Sequence, residues 1–243
     1  MNVNELKIQL INQKKNKTKE KIYHITQVTF AYNSNKIEGS TLTKEQTKKI
    51  FEEDVNNLNK DCSSFSDDSI ETINHFKLFD YIIDNIDKPL SKKMIINMNK
   101  ILKKNTSYEK DPKYNVSGFK TSPNIIGMIN VINTSKPEDV EKDIDNLLDW
   151  YNNKDKISLE DIIKFHVIFE RIHPFGDGNG RGGRIIIFKE CLKNNIFPFI
   201  ILDQNKSFYI RGLKEYDKDP MYLIDTCLDA QDNYKILYKM LNY

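Results

Sequence analysis

SLEDIIKFHVIFERIHPFGDGNGRGGRIIIFKECLKNN, residues 158–195, decides the fold class. Ser158 with Asp161 three positions on signals a helix start, and Ile162, Ile163, Val167 and Ile168 follow at helical spacing until Pro174 ends the run. Five of the nine glycines then fall between Gly176 and Gly183, and a second helical pattern begins beyond them. Gly178, Gly180 and Gly183 spell the dinucleotide string GxGxxG, but that fingerprint needs a strand before it, and here a capped helix precedes it. A Walker A loop would need Lys followed by Ser or Thr after its last glycine, and neither is present. An EF-hand starting at Asp177 would put Arg181 at a ligand position and Phe188 where the closing Glu belongs. A helix, a loop, a glycine turn and a second helix are what survive.

Helical periodicity extends outward from this segment in both directions. Lys21 to Asn35 places Ile22, Ile25, Val28, Thr29 and Tyr32 on one face, and Gly39 suits its end. Thr43 with Gln46 is a capping box for a helix to about Glu53. Helices are expected at about Ile70 to Ile86, at Lys92 to Lys104 behind Ser91, in the acidic run after Pro137, from about Gln204 to Tyr216 and from Tyr222 to Leu241. Asn124 to Ile132, rich in Ile, Val and Asn, predicts a short hairpin instead. The chain shows no internal repeat and no long linker, so the expected architecture is mainly α, one domain over residues 1–243.

Composition excludes several classes. A hydrophobic fraction of 39% with 30% charge suits a globular protein, and 37 basic against 35 acidic residues give no field that singles out nucleic acid or an anionic membrane. Cys62, Cys191 and Cys227 are far apart and odd in number, which fits reduced thiols in a cytoplasmic protein. No apolar stretch approaches a leader core or a bilayer span.

The arginines point to the chemistry. Only four occur, Arg171, Arg181, Arg184 and Arg211, and three flank or lie in the glycine turn of a chain that otherwise uses lysine. A planar guanidinium fork binds phosphate or carboxylate at two points. Glycines at a helix N-terminus let an anion approach free N–H groups, and Arg181 and Arg184, three apart, share a side of the first turn. Asp177 is suited to Mg²⁺ shared with phosphates, and His173, titrating near neutrality, is the natural general base.

The run from His173 to Arg184 resembles the Fic family motif H-x-F-x-[DE]-G-N-G-R-x-x-R at His173, Phe175, Asp177, Gly178, Asn179, Gly180, Arg181 and Arg184. The resemblance implies a helical Fic-like domain with a short β-hairpin flap at about 114–136 and a catalytic loop at 173–184. It implies a protein adenylyltransferase that moves AMP from ATP to a Ser, Thr or Tyr hydroxyl of an unidentified target protein or of itself. His173 would be the base, Asp177 the Mg²⁺ ligand, and Gly178, Asn179, Gly180, Arg181, Gly182, Gly183 and Arg184 the ATP site. Family members with lysine at the position of Gly180 can transfer a phosphoryl group instead. A phosphotransferase, a de-AMPylase or a non-catalytic nucleotide sensor are the alternatives, and a homodimer is compatible with all of them.

Three further features follow from the same likeness. Tyr209, in FYIRGLKEY, resembles a position near the adenine, although aromatic residues at helical spacing equally suit core packing. Asn124 to Gly127 resemble the flap that holds a target by strand addition. Ser34, Glu38 and Gly39 resemble the inhibitory motif [ST]-x-x-x-E-[GN] on a helix at about 21–39, which implies that Glu38 pairs with Arg184 and Ser34 steadies the helix. His166 is expected to be a core or supporting histidine, Phe175 an anchor for the loop, and His24 and His75 are without a constellation.

Overall fold

The computed structural model describes residues 2–53, 66–126 and 132–242. The described residues hold eleven α-helices: α1 Val3–Lys15, α2 Ile22–Ile37, α3 Lys44–Glu52, α4 Asp67–Asp84, α5 Lys92–Lys103, α6 Ser107–Lys110, α7 Val140–Asn152, α8 Leu159–Ile172, α9 Asn179–Lys193, α10 Lys206–Glu215 and α11 Met221–Asn242. Capping chemistry sets many of their starts. Thr43 and Ser158 each complete a reciprocal capping box, with Gln46 and Asp161 respectively, and Ser91 caps α5 through Met94 N. Ser66 starts α4 three residues ahead of the apolar run that announced it. The sequence reading lacks α1 altogether, although Asn2 caps it and Val3, Leu6 and Leu10 are its buried stripe.

The core is one cluster that reaches from Val3 to Tyr238. Its centre is α9, whose Ile185, Ile186, Ile187, Phe188, Cys191 and Leu192 are all buried, together with Lys189 and Glu190, which pair with each other. α2 is also enclosed nearly all round. Of its expected inward face Ile22 and Val28 are buried, but Ile25, Thr29 and Tyr32 are only half-buried, whereas Tyr23, Phe30 and Ala31 are deep in the core. α2 further buries His24, Thr26, Gln27, Asn33, Ser34 and Asn35, an unusual polar load that needs partners. α8 packs on α9, α5 on α4 and α10 on α11. The C-terminal end of α2 meets the N-terminal end of α9.

Ile125–Ile126 and Ile132–Asn133 pair antiparallel, with Ile125 opposite Asn133 and Ile126 opposite Ile132. Gly127 and its neighbours to residue 131, like Cys62, lie outside the described residues. Cys191 and Cys227 are free and buried. Among the described residues no helix is long and apolar enough to cross a membrane.

Candidate active site

The site is built where α8 stops and α9 starts. His173 caps α8 with a left-handed backbone, φ 51, which swings the chain off the helix axis. Its Nδ1 lies 3.2 Å from Glu170 O, so the proton on Nδ1 donates there and Nε2 is the free basic nitrogen. Burial lowers its pKa, and the Lys120 ammonium adds to that, against opposing pulls from Glu38 and Asp177. A neutral imidazole is thereby favoured.

The loop between the helices is closed by its own side chains. Phe175 is buried against Phe119, with ring centroids 5.9 Å apart. Asn179 accepts from Phe175 N at 2.9 Å and donates to Phe175 O at 2.8 Å. That ties the side-chain amide into the loop, while the Asn179 backbone N–H is left for an anion. Gly178 holds φ 89 and sits where a Cβ would come within 2.8 Å of Asn99 Oδ1. The first intrahelical bond of α9 is Gly182 N to Gly178 O, which leaves the N–H groups of Asn179, Gly180 and Arg181 without an acceptor inside the helix. Those N–H groups and the helix dipole make the turn an anion site.

Arg184 is already closed on a carboxylate. Its Nη2 lies 2.7 Å from Glu38 Oε1, its Nε donates to Ser34 Oγ at 3.1 Å, and Nη2 also donates to Ser34 O at 2.9 Å. Ser34 therefore grips the arginine as well as belonging to the helix. Burial alone would lift the Glu38 carboxyl, but Arg184 and Arg181 hold it below the usual carboxylate range. Gly180 is required by this contact: a Cβ there would lie 2.2 Å from Glu38 Oε1.

Arg181 faces a second set of charges. It pairs with Glu71 and, at 2.8 Å, with Asp177, while Lys103 pairs with the same two carboxylates. Two cations and two carboxylates form a closed ring. Burial would raise the Asp177 carboxyl, yet Lys103 and Arg181 keep it low. Nothing in the sequence singled out Glu71 or Lys103, because neither has a spacing that distinguishes it from many similar residues. Among the described residues no group of three or more His, Cys, Asp or Glu side chains could hold a metal ion. Asp177, with its side chain about one third exposed, is the carboxylate the turn itself provides.

Behind Arg184 lies a buried relay. The Tyr209 hydroxyl is 2.7 Å from His166 Nε2, and the Arg184 guanidinium carbon is 5.8 Å from the Tyr209 ring centroid. Tyr209 thus supports Arg184 from within the core: it is 1% exposed and its hydroxyl is engaged. His166 is held neutral by burial, its pKa pushed down to about 3, and burial pushes the nearby Glu170 carboxyl up to about 8. Gly183 packs on this pair, since a Cβ would lie 2.6 Å from His166 Nδ1 and 2.7 Å from Glu170 Oε1. Gly182, expected in the nucleotide site, has open space where its Cβ would be. His75 is buried and held neutral by that burial and by the Arg184 and Arg181 charges, edge-on to Phe30, while His24 stacks on Phe51.

A helical scaffold that presents a histidine loop and an anion-binding helix N-terminus defines the class. Residues 89–190 match the Fic/DOC family. A probable protein adenylyltransferase of Aquifex aeolicus is 32% identical over 80 residues, and a protein adenylyltransferase Fic of Nematostella vectensis is 34% identical over 82. Each alignment covers 32% of this chain, but only 24% and 19% of those relatives. In structure, a Fic domain containing signaling protein from Bacteroides thetaiotaomicron superposes with a TM-score of 0.70 at 24% identity, covering 97% of this chain and 94% of its own. Residues 89–190 thus carry a Fic/DOC domain, and the chain shares the fold of that Fic domain containing structure.

Proposed function

We propose that this protein is a Fic-type transferase that moves AMP from ATP to a hydroxyl of a protein, itself included, and that Glu38 restrains it. The observation that carries the reading is Arg184, at the start of α9, closed on the Glu38 carboxylate beside unpartnered N–H groups and a histidine whose Nδ1 is tied to Glu170 O. A fork that holds a carboxylate will hold a phosphate. The adenylyltransferase names of the relatives support the choice of reaction, and Gly180, where lysine would favour phosphoryl transfer, supports AMP as the group moved.

In this reading His173 Nε2 takes the proton from a Ser, Thr or Tyr hydroxyl as that oxygen bonds the α-phosphorus. The bond to the β-phosphate oxygen breaks and pyrophosphate leaves. The N–H groups of Asn179 and Gly180 and the guanidinium groups of Arg181 and Arg184 hold the negative charge that builds on the phosphates. Asp177 would hold Mg²⁺. One carboxylate fits that role because Mg²⁺ takes its remaining ligands from phosphate oxygens and water. The ion would neutralise phosphate charge when bound. The paired segments 125–126 and 132–133 belong to the proposed flap, which would receive a target backbone by strand addition.

ATP labelled at the α- or γ-position tests the reading. Label from the α-position alone should reach protein, and His173→Ala should abolish transfer while ATP binding persists. Transfer from the γ-position would make it a kinase. Binding without transfer in both wild type and Glu38→Gly would make it a sensor.

A further inference from the structure

Lys120 is a buried lysine, 3% exposed, with no carboxylate partner among the described residues. Buried lysines are ordinarily paired with an acid, so its surroundings call for a reason. An ammonium has three N–H donors, and Lys120 Nζ has three acceptors: Asn124 Oδ1 at 2.6 Å, Thr134 Oγ1 at 2.7 Å and Ile172 O at 3.3 Å. All three are neutral. Asn124 and Thr134 are the residues at either root of the paired strands, and the Thr134 hydroxyl is also within 2.8 Å of Asn124 O. Ile172 immediately precedes His173.

Two further bonds join the same parts. Lys120 N donates to Pro174 O at 2.8 Å, and Asn124 Nδ2 donates to Phe175 O at 2.9 Å. Residues 172, 174 and 175 are therefore each bonded to Lys120 or Asn124, with His173 between them. The ammonium also lies close enough to help keep the imidazole neutral, against Glu38 and Asp177, which favour its charged form.

We infer that Lys120 is a positioning residue that docks the outer ends of the paired segments 125–126 and 132–133 onto the backbone around His173 and so fixes where a target lying along those segments meets the base. The docking itself is independent of the reaction. What the paired segments hold rests on the adenylyltransferase reading. A point charge with three converging donors suits this junction, and a planar guanidinium does not.

The test compares Lys120→Met, Lys120→Arg and Thr134→Val with wild type. Amide hydrogen exchange at residues 125–126 and 132–133 should quicken at least tenfold in Lys120→Met and less in Thr134→Val, with thermal unfolding of the whole chain measured alongside. By NMR, the His173 midpoint should rise in Lys120→Met and stay near wild type in Lys120→Arg, a split that loss of packing would not produce. In a Glu38→Gly background, KM for the modified protein should rise while KM for ATP holds. Should Lys120→Met not fold, Thr134→Val and Lys120→Arg decide the matter through the same exchange measurement. Unchanged exchange in the folded variants overturns the inference. Faster exchange with no AMP transfer in any background leaves the docking role standing and removes the adenylyltransferase reading instead.

Discussion

Replacing Glu38 separates charge from hydrogen bonding at the proposed nucleotide site. Two unit charges about 4 Å apart attract by about 4 kcal/mol at an effective dielectric of about 20, before the cost of desolvating them. The net value of a hydrogen bond to a charged group is smaller, about 1.5–3 kcal/mol. The lower end applies here because the Glu38 side chain is 35% exposed and partly screened, although Arg184 is 3% exposed. A terminal phosphate that needs Arg184 must displace this contact. At about 1.4 kcal/mol per decade, Glu38→Gly should raise transfer of α-labelled AMP by about tenfold or more. Glu38→Gln, which keeps an acceptor without the charge, should fall between the two. The substitution takes the paired carboxylate from Arg184 and leaves Ser34 and Tyr209 beside its charge, so Glu38→Gly should also lower Tm by a few degrees. Equal transfer by wild type and both variants would refute the inhibitory role. A slower Glu38→Gly would mean that the carboxylate serves the reaction, for instance in removing AMP.

Other outcomes follow from the same geometry. Because burial and Lys120 favour neutral His173, transfer by Glu38→Gly should climb with pH through a midpoint below 6.5 and level off by about pH 7; a midpoint at or above 6.5 would contradict the environment described. The Glu170 carboxyl, raised to about 8 by burial, contributes stability that is lost as pH climbs from about 4.5 through 8, since the unfolded chain ionises first. Glu170→Gln should therefore gain in Tm relative to wild type between pH 5 and 8, by an amount on the order of 5 °C. A constant difference across that range would show that Glu170 is already ionised. Gly183→Ala should cost about 1–3 kcal/mol in a thermal melt because its Cβ meets His166 and Glu170, whereas Gly182→Ala, facing open space in a helix, should be neutral or gain about 0.5–1 kcal/mol. Equal melts would show that the His166 and Glu170 packing yields easily.

The helix starts at Thr43, Ser91 and Ser158 were legible because a cap is a local contract between side chain and nearby backbone, independent of the rest of the fold. The glycine turn was legible for a similar reason, since Gly178 and its neighbours act through backbone geometry within a few residues. α1 was not, although its stripe of Val3, Leu6 and Leu10 is regular, because three apolar contacts among polar neighbours are a weak local signal until the rest of the core buries them. α2 misled for a physical reason. Its stripe of Ile25, Thr29 and Tyr32 is the least enclosed side, because a helix surrounded by α1, α3, α4 and α9 has no single apolar face, and much of its buried surface is polar. Those polar residues belong to the site: Asn35 approaches Arg181, Ser34 holds Arg184, and the Glu38 carboxylate lies in the guanidinium fork. Lys103, Glu71 and Lys120 were invisible for the opposite reason. Each acts through a partner tens of residues away, Lys103 on Asp177 and Lys120 on Ile172, and in a chain this rich in lysine neither type nor local spacing marks the ones that are buried. Such residues become evident only when the fold removes water from an ammonium and the acceptors that replace it can be counted. By that count Lys120 stands apart from Lys103: Lys103 is paired with the acids Glu71 and Asp177 of the proposed nucleotide site, while Lys120 is held by neutral oxygens between the paired segments 125–126 and 132–133 and the histidine loop.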